Sequence, residues 1–479
     1  MADSKPRQRK FAPRSRTGCL TCRTRRKRCD SNHPQCANCA RLNLACEWQP
    51  QRKIVVEASS SSSSSSSWSP SATSPSSDLQ VTGPLHSTLD YWDILPCDLD
   101  TASEQKHILQ YYVEAYIPSI SVATSATNYY TSLYMPWAFQ INGMLDVILA
   151  ISSAQLARRV VDTDRSSHLK AVSRKHENRC YAFIKERISE SGELRDTYQV
   201  IAIILILVGL EALNGSTSTR WISQLKSAQR LLNSIPLEQS IADCVEVDSL
   251  HRHFTYHFAS ASLMARVGQT PSNSSVEQDL ASITSALMPI TTIDPLMGIS
   301  YQLCDLIARI QYVTSNNPAF PQITEASFQS IESGIMTWTY DSPFSLGVDI
   351  TIALDLIALA EAYRLAALIQ LYRNSPVHTS LIPGCASRAM EFIARIPPGS
   401  PAESSLLYPM FLAGAELNDP TATDMCTKRL ESIQGRNRYE NVGMVQKVLK
   451  EVWRSRQECG QRKDWEEVLK EWNWSFTVG

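Results

Sequence analysis

No apolar run in this chain reaches the length of a membrane span. The longest, Val200–Leu210, is interrupted by Gly209 and closed by Glu211. It is about half of the roughly 20 residues that a span needs, so it reads as a buried helix and no membrane partner is expected. The N-terminus is charged and has no apolar stretch, so no secretory signal is expected. No GxSxG, HExxH or phosphate-binding loop is present, and nothing in the sequence points to an enzyme. Alternating strand patterns and hairpin turns are also missing. Acidic residues are scarce at one end. Residues 1–53 hold only Asp3, Asp30 and Glu47 against 14 Lys or Arg, a local balance of +11. The whole chain has a formal charge of -1, so the remainder carries -12. A basic head on an acidic body points to a polyanion as the partner of the head.

Cysteine usage is uneven. Of 13 cysteines, six fall within residues 19–46, and the other seven stand singly. Dispersed single cysteines suit reduced thiols in a cytosolic or nuclear protein. The six are spaced Cys19-x2-Cys22-x6-Cys29-x6-Cys36-x2-Cys39-x6-Cys46, so the same half-unit occurs twice. Thiolates on a CxxC turn converge on one ion, and zinc takes four ligands in a tetrahedron. Six sulfurs cannot give two ions four private ligands each, so two sulfurs must be shared. The repeat suggests one bridging sulfur from equivalent positions in each half. Two Zn2+ ions are therefore the expected cofactors. They would drive folding, because the segment has almost no apolar core.

The run Arg16-Thr-Gly-Cys19-Leu-Thr-Cys22-Arg-Thr-Arg-Arg-Lys-Arg-Cys29-Asp30, followed by His33-Pro34-Gln-Cys36-Ala-Asn-Cys39, resembles the fungal binuclear zinc cluster family of transcription factors. The resemblance implies Cys19 and Cys36 as the bridges. Cys22 and Cys29 would then complete one ion, and Cys39 and Cys46 the other. It also implies that Pro34 turns the loop between the halves. Between Cys22 and Cys29 lie Arg23, Thr24, Arg25, Arg26, Lys27 and Arg28. Family positions for base reading correspond to Arg25 and Arg26, which implies double-stranded DNA with a CGG-type triplet as the target. An arginine fork matches O6 and N7 of guanine. Arg23, Lys27 and Arg28 are the expected phosphate contacts, which supply affinity and register. The same basic run suits a nuclear localisation signal.

The chain divides into a basic arm (1–18), the cluster domain (19–50), a serine-rich linker (51–100) and a large body (101–479). The linker contains the unbroken run Ser59–Ser67. Such a segment cannot bury enough apolar surface to offset its ordering entropy, so disorder is expected there. No sustained heptad pattern follows the cluster. Monomeric DNA binding, or a homodimer through the body, is therefore expected. Near the linker's end, Leu89-Asp-Tyr-Trp-Asp-Ile-Leu95 with Asp98-Leu-Asp100 is an acidic, aromatic patch. It suits either a coactivator-recruiting segment or the first piece of the helical core.

The body reads as all-α. Thr101-Ala-Ser-Glu104 is a candidate capping box, followed by Ile108, Tyr111, Tyr112, Ala115 and Tyr116 at helical spacing until Pro118. Further stripes are Leu145, Ile148, Leu149, Ser152 and Leu156, then Leu169, Val172, Tyr181, Ile184 and Ile188, then Trp221, Leu225, Ala228 and Leu232. Ala353–Tyr372 is almost all apolar. Trp465, Leu469 and Trp472 share one side of a terminal helix whose expected role is core packing. The stretches Glu361–Arg373 and Gln110–Val113 resemble the fungus-specific transcription factor domain, which implies an all-helical regulatory body. His251, His253 and His257 include an i, i+4 pair, but no acidic or cysteine partner accompanies them, so a metal is not expected there.

The leading expectation is a nuclear, sequence-specific regulator of RNA polymerase II genes. On family analogy it would be a pathway-specific activator, in secondary metabolism or nutrient use, that contacts the transcription machinery or coactivators. The alternative is a zinc-cluster co-regulator that acts through protein partners and hardly reads DNA.

Overall fold

The computed structural model describes Cys19, Cys22, Cys29, Asp30, residues 36–41 and Cys46 of the N-terminal segment. Beyond these it describes residues 101–122, 128–190, 194–235, 244–265, 291–315, 324–343, 348–459 and 463–479. The basic arm, the serine-rich linker and the acidic, aromatic patch lie outside the described residues. The chain divides into two compact units, residues 1–81 and 82–479.

The larger unit is all-helical. Among the described residues it has no strand, only two isolated bridges, Thr292 with Asp341 and Ile293 with Ser300. Its centre is the helix Leu194–Asn214, in which every residue from Val200 to Val208 is buried. This helix is longer than the apolar run that announced it. It has the length and composition of a membrane span, yet its apolar window is 83% buried inside the unit. Each fully buried Leu or Ile contributes about 1.5–3 kcal/mol, and here neighbouring helices cover it. Helices Asn142–Leu156, Arg220–Asn233 and Cys244–Ala265 pack against it. A second layer forms around Ile350–Tyr372, covered by Ile382–Arg395 and by Leu407–Ala415, all nine residues of which are buried.

Most of the stripes face the core. Ile148, Leu149, Ser152, Leu156, Trp221, Leu225, Ala228 and Leu232 are buried. Ile188 is the exception, at 56% exposed. Its helix, Thr163–Glu190, has 28 residues and packs on a helix of 15, so its last turns outrun their cover. In the first helix Glu104 pairs with Arg165 at 3.0 Å and His168 at 2.9 Å. Pro118 does not stop that helix, contrary to expectation. After Thr101–Tyr111 the chain widens into a π turn, Tyr112–Tyr116, and continues as Ile117–Ile120. Pro118 thus falls in the first turn of a new segment, where its missing N–H costs little.

Helix ends follow local chemistry. Asp349, Asp419 and Asp464 each accept a backbone N–H of the helix they precede. Such caps contribute about 1 kcal/mol each. The terminal helix Trp465–Trp472 has a full capping box, with Glu467 returning to the Asp464 N–H. It buries Trp465, Val468 and Leu469, and Arg373 stacks on the Trp465 ring while binding Asp464 and Glu416.

Candidate metal centre and nucleic-acid interface

The smaller unit is built on sulfur. Cys19, Cys22, Cys36 and Cys39 are fully buried, Cys29 nearly so and Cys46 partly. The 17-residue sequence repeat appears as a repeat of hydrogen bonds. The Cys22 N–H donates to Cys19 Sγ at 3.4 Å, and the Cys39 N–H to Cys36 Sγ at 3.4 Å. The Cys19 N–H donates to Cys29 Sγ at 3.4 Å, and the Cys36 N–H to Cys46 Sγ at 3.2 Å. Equal spacing in the two halves places the two CxxC turns in the same local geometry.

The sulfurs lie close together. Cys19 Sγ is 3.7 Å from Cys36, 3.8 Å from Cys39 and 3.8 Å from Cys29. Cys22 Sγ is 3.5 Å from Cys36 and 3.9 Å from Cys39. A tetrahedron with zinc–sulfur bonds of about 2.3 Å has edges of about 3.8 Å, so the donor set fits zinc. Cys22 and Cys39 belong to different ions in the partition implied by the family resemblance. The distances alone therefore also accommodate a four-sulfur site of Cys19, Cys22, Cys36 and Cys39. Burial pushes the Cys19, Cys22 and Cys39 thiols up, Cys39 to about 12. Burial acts in the same direction on Cys36, but the Cys39 N–H and the surrounding thiols outweigh it and bring Cys36 down to about 6. A thiolate surrounded by donors is a seat for a cation.

Sequence reading gave no role to Asp30. Both of its carboxylate oxygens accept the Ala37 N–H at 3.1 Å, at the start of the short helix Ala37–Arg41. The acid that follows the first half thus caps the helix of the second. The signal was present, since Asp30 is the lone acid between Asp3 and Glu47. Arg23, Arg25, Arg26, Lys27 and Arg28 lie outside the described residues.

Two of the three histidines bond to each other and to tyrosines. His253 Nδ1 meets the Tyr134 hydroxyl at 2.8 Å, and its Nε2 meets His257 Nε2 at 3.0 Å and the Tyr130 hydroxyl at 3.2 Å. Among the described residues, the groups that could hold a metal are confined to the cysteine cluster and Asp30.

Two family models match the chain, and together they span both units. The fungal Zn(2)-Cys(6) binuclear cluster domain matches residues 17–54, and the fungal specific transcription factor domain matches residues 107–479. The chain belongs to the fungal zinc cluster transcription factor family. The transcriptional activator protein UGA3 of Saccharomyces cerevisiae is 25% identical over an alignment of 352 positions that covers 63% of this chain and 65% of that protein. The zinc cluster transcription factor CZF1 of Candida albicans is 60% identical over 35 residues, 7% of this chain and 9% of that protein. The transcriptional regulatory protein pro1 of Neurospora crassa is 58% identical over 36 residues, 8% of this chain and 5% of that protein. The chain covers less than two thirds of the length of each of these relatives. No solved structure gives a significant match. The family consists of transcription factors rather than enzymes, and its cluster domain binds zinc.

Proposed function

We propose that this protein is a nuclear, sequence-specific DNA-binding regulator of RNA polymerase II genes. The observation that carries the reading is the doubled sulfur geometry around Cys19 and Cys36, in a segment whose Cys22–Cys29 interval holds five basic residues. In this reading the cluster domain is residues 19–50, and the helical regulatory domain is residues 101–479. Cys19 and Cys36 bridge two ions, Cys22 and Cys29 complete one, and Cys39 and Cys46 the other. Ligand arithmetic supports this over a single four-sulfur site, because all six sulfurs are gathered and each half repeats the same N–H to sulfur contacts. Zinc, when bound, supplies the cross-links that a segment without an apolar core otherwise lacks.

Arg25 and Arg26 read a CGG-type triplet, while Arg23, Lys27 and Arg28 hold phosphates. Regulation is pathway-specific activation, in secondary metabolism or nutrient use, through coactivators or the transcription machinery. The similarity to a transcriptional activator over 63% of the chain supports activation over repression. With no heptads after the cluster, the helical body is where a homodimer would form. The deciding measurement is binding of the full chain to CGG-bearing and scrambled duplexes across a salt series. A clear preference for CGG that persists as salt rises is the expected result. A specificity ratio near one would show instead a co-regulator that acts through protein partners.

A further inference from the structure

The acidic, aromatic patch at 89–100 has no part in the zinc chemistry, and one surface of the helical unit matches its composition. We propose that residues 89–100 dock in an open groove beside the helix Glu440–Cys459, with their aspartates on Lys447 and Lys450 and their apolar side chains on Trp472 and Trp474.

The groove has a volume of about 360 Å³ and is lined by Lys447, Lys450, Glu451, Arg454, Trp472 and Trp474. Lys447, Lys450 and Arg454 follow one another at intervals of three and four residues, so they form one exposed row along their helix. The facing wall is two half-buried indoles, one at the end of the helix Trp465–Trp472 and one just after it. Their rings meet edge to face, with centroids 4.8 Å apart. An indole left half open offers a large apolar face that a second aromatic or aliphatic side chain can cover.

The charge of the groove is not balanced from within. Glu451 pairs with Arg454 at 2.8 Å and lies 4.0 Å from Lys463, which also pairs with Glu471. Lys447 stands over the Trp474 ring at 6.0 Å, and neither it nor Lys450 has an acidic partner among the described residues. Lysines in water need no partner, so charge alone selects nothing. What selects is the combination, because two unpaired cations beside two open indoles fit a ligand that carries acids and apolar rings together.

Of the chain outside the described residues, 89–100 is the stretch with that composition. It holds Asp90, Asp93, Asp98 and Asp100, no Lys or Arg, and Tyr91 and Trp92 between the first two acids. The basic arm has the wrong sign, and the serine run has no charge. Residues 266–290 hold Glu277 and Asp279 but no aromatic ring. The tether also favours this segment. Asp100 directly precedes the helix Thr101–Tyr111, whose Glu104 pairs with Arg165. Arg158, on the same stretch of chain as Arg165, pairs with Glu440, the first residue of the groove's helix. From there Lys447 is about 10 Å along the axis. Residues 89–100 span up to about 40 Å when extended, and so short a tether holds them near the groove at an effective concentration of the order of millimolar.

The test uses the full zinc-loaded chain and the rate of chymotrypsin cleavage after Tyr91 and Trp92, each protein being compared with a synthetic peptide of its own 86–100 sequence. Docked rings are withheld from the protease, so the wild-type chain should be cut about tenfold more slowly than its peptide. Lys447→Glu with Lys450→Glu changes two exposed side chains, so the fold is kept, as far-UV circular dichroism and the melting temperature will verify. This variant should be cut at the peptide rate. Adding Asp90→Lys and Asp93→Lys to it restores opposite charges across the groove and should restore the slow cleavage. Carbodiimide coupling of a mixture of isotope-labelled and unlabelled wild-type chains should join Asp90 or Asp93 to Lys447 or Lys450 within one copy. Cleavage of the wild type at the peptide rate would mean that the patch is free, and the proposal fails. Slow cleavage that survives Lys447→Glu with Lys450→Glu, or that the charge exchange does not restore, overturns the groove as the docking site. Coupling mainly between labelled and unlabelled copies makes a second copy the occupant and overturns docking within the chain.

Discussion

Cys19 Sγ and Cys36 Sγ stand 3.7 Å apart, and each accepts the N–H of the cysteine three residues further on. The two residues occupy the same place in their half-repeats, and each has other sulfurs around it. Cys46, by contrast, is partly exposed and at the end of the cluster. If Cys19 is shared between ions, its loss damages both coordination spheres, whereas loss of Cys46 damages one. The wild-type chain should carry about two zinc ions, Cys46→Ala about one, and Cys19→Ala close to none, by elemental analysis of the purified full chain. A Cys19→Ala protein that retains one tightly held ion would show that Cys19 is not a bridge.

The basic run separates into two kinds of contact. Arg26→Ala should weaken binding to a CGG duplex and flatten the preference for it, by about 1–3 kcal/mol of discrimination. Lys27→Ala should weaken all duplexes alike and lower the salt slope by about one. Competition binding against scrambled DNA at two salt concentrations reads both. Parallel losses on specific and scrambled DNA for the two variants would remove Arg26 from the base-reading role.

In the helical unit Glu403 has a fully buried side chain beside Arg429 and Arg436. Its carboxylate also accepts the Gly399 N–H at 3.0 Å, and so ties the 401–405 turn to the helix Pro420–Asn437. Removing one member of a buried pair leaves the other charge uncompensated, at about 3–5 kcal/mol. Glu403→Gln should therefore lower the melting temperature sharply. Lys428→Ala, which breaks an exposed pair with Asp424 on the same helix, should leave it unchanged. Equal effects would mean that Glu403 is not held as a buried ion pair.

The sequence carried the parts of this molecule that depend on spacing. Six cysteines in a doubled pattern, and stripes such as Trp221, Leu225, Ala228 and Leu232, repeat at intervals short enough to read along the chain. Other contacts depend on pairs that only tertiary structure unites. Tyr130 and His253 are 123 residues apart, Tyr116 and Tyr439 are 323 apart, and Asn441 bonds Thr477 across 36. The π turn at Tyr112–Tyr116 was equally hidden, because it keeps the apolar spacing of a helix while changing its hydrogen bonds. His253 and His257 were legible as an i, i+4 pair, but not as a pair bonded to each other.

That histidine pair makes stability depend on pH in a definite direction. His253 is enclosed by the rings of Tyr129, Tyr130 and Tyr134. Burial lowers its pKa well below 6.5, and the neighbouring His257 lowers it further. Burial brings His257 and His251 to about 4. In the unfolded chain all three titrate near 6.5. Between pH 6.5 and about 4 the unfolded chain thus binds more protons than the folded one, and stability falls as acid is added. Each group contributes up to about 1.4 kcal/mol per pH unit in that window and nothing further above it. Glu177, Asp305 and Asp355, whose carboxyls burial pushes up, act in the opposite sense. The informative quantity is therefore a difference between variants rather than an absolute slope. Melting temperatures at about pH 7.5, 6.5, 5.5, 4.5 and 3.5, which bracket the window, should fall less steeply for His257→Gln than for the wild type, with the two curves closest at the acid end. Parallel curves for the two proteins would show that His257 takes up its proton in the folded state as easily as in the unfolded one.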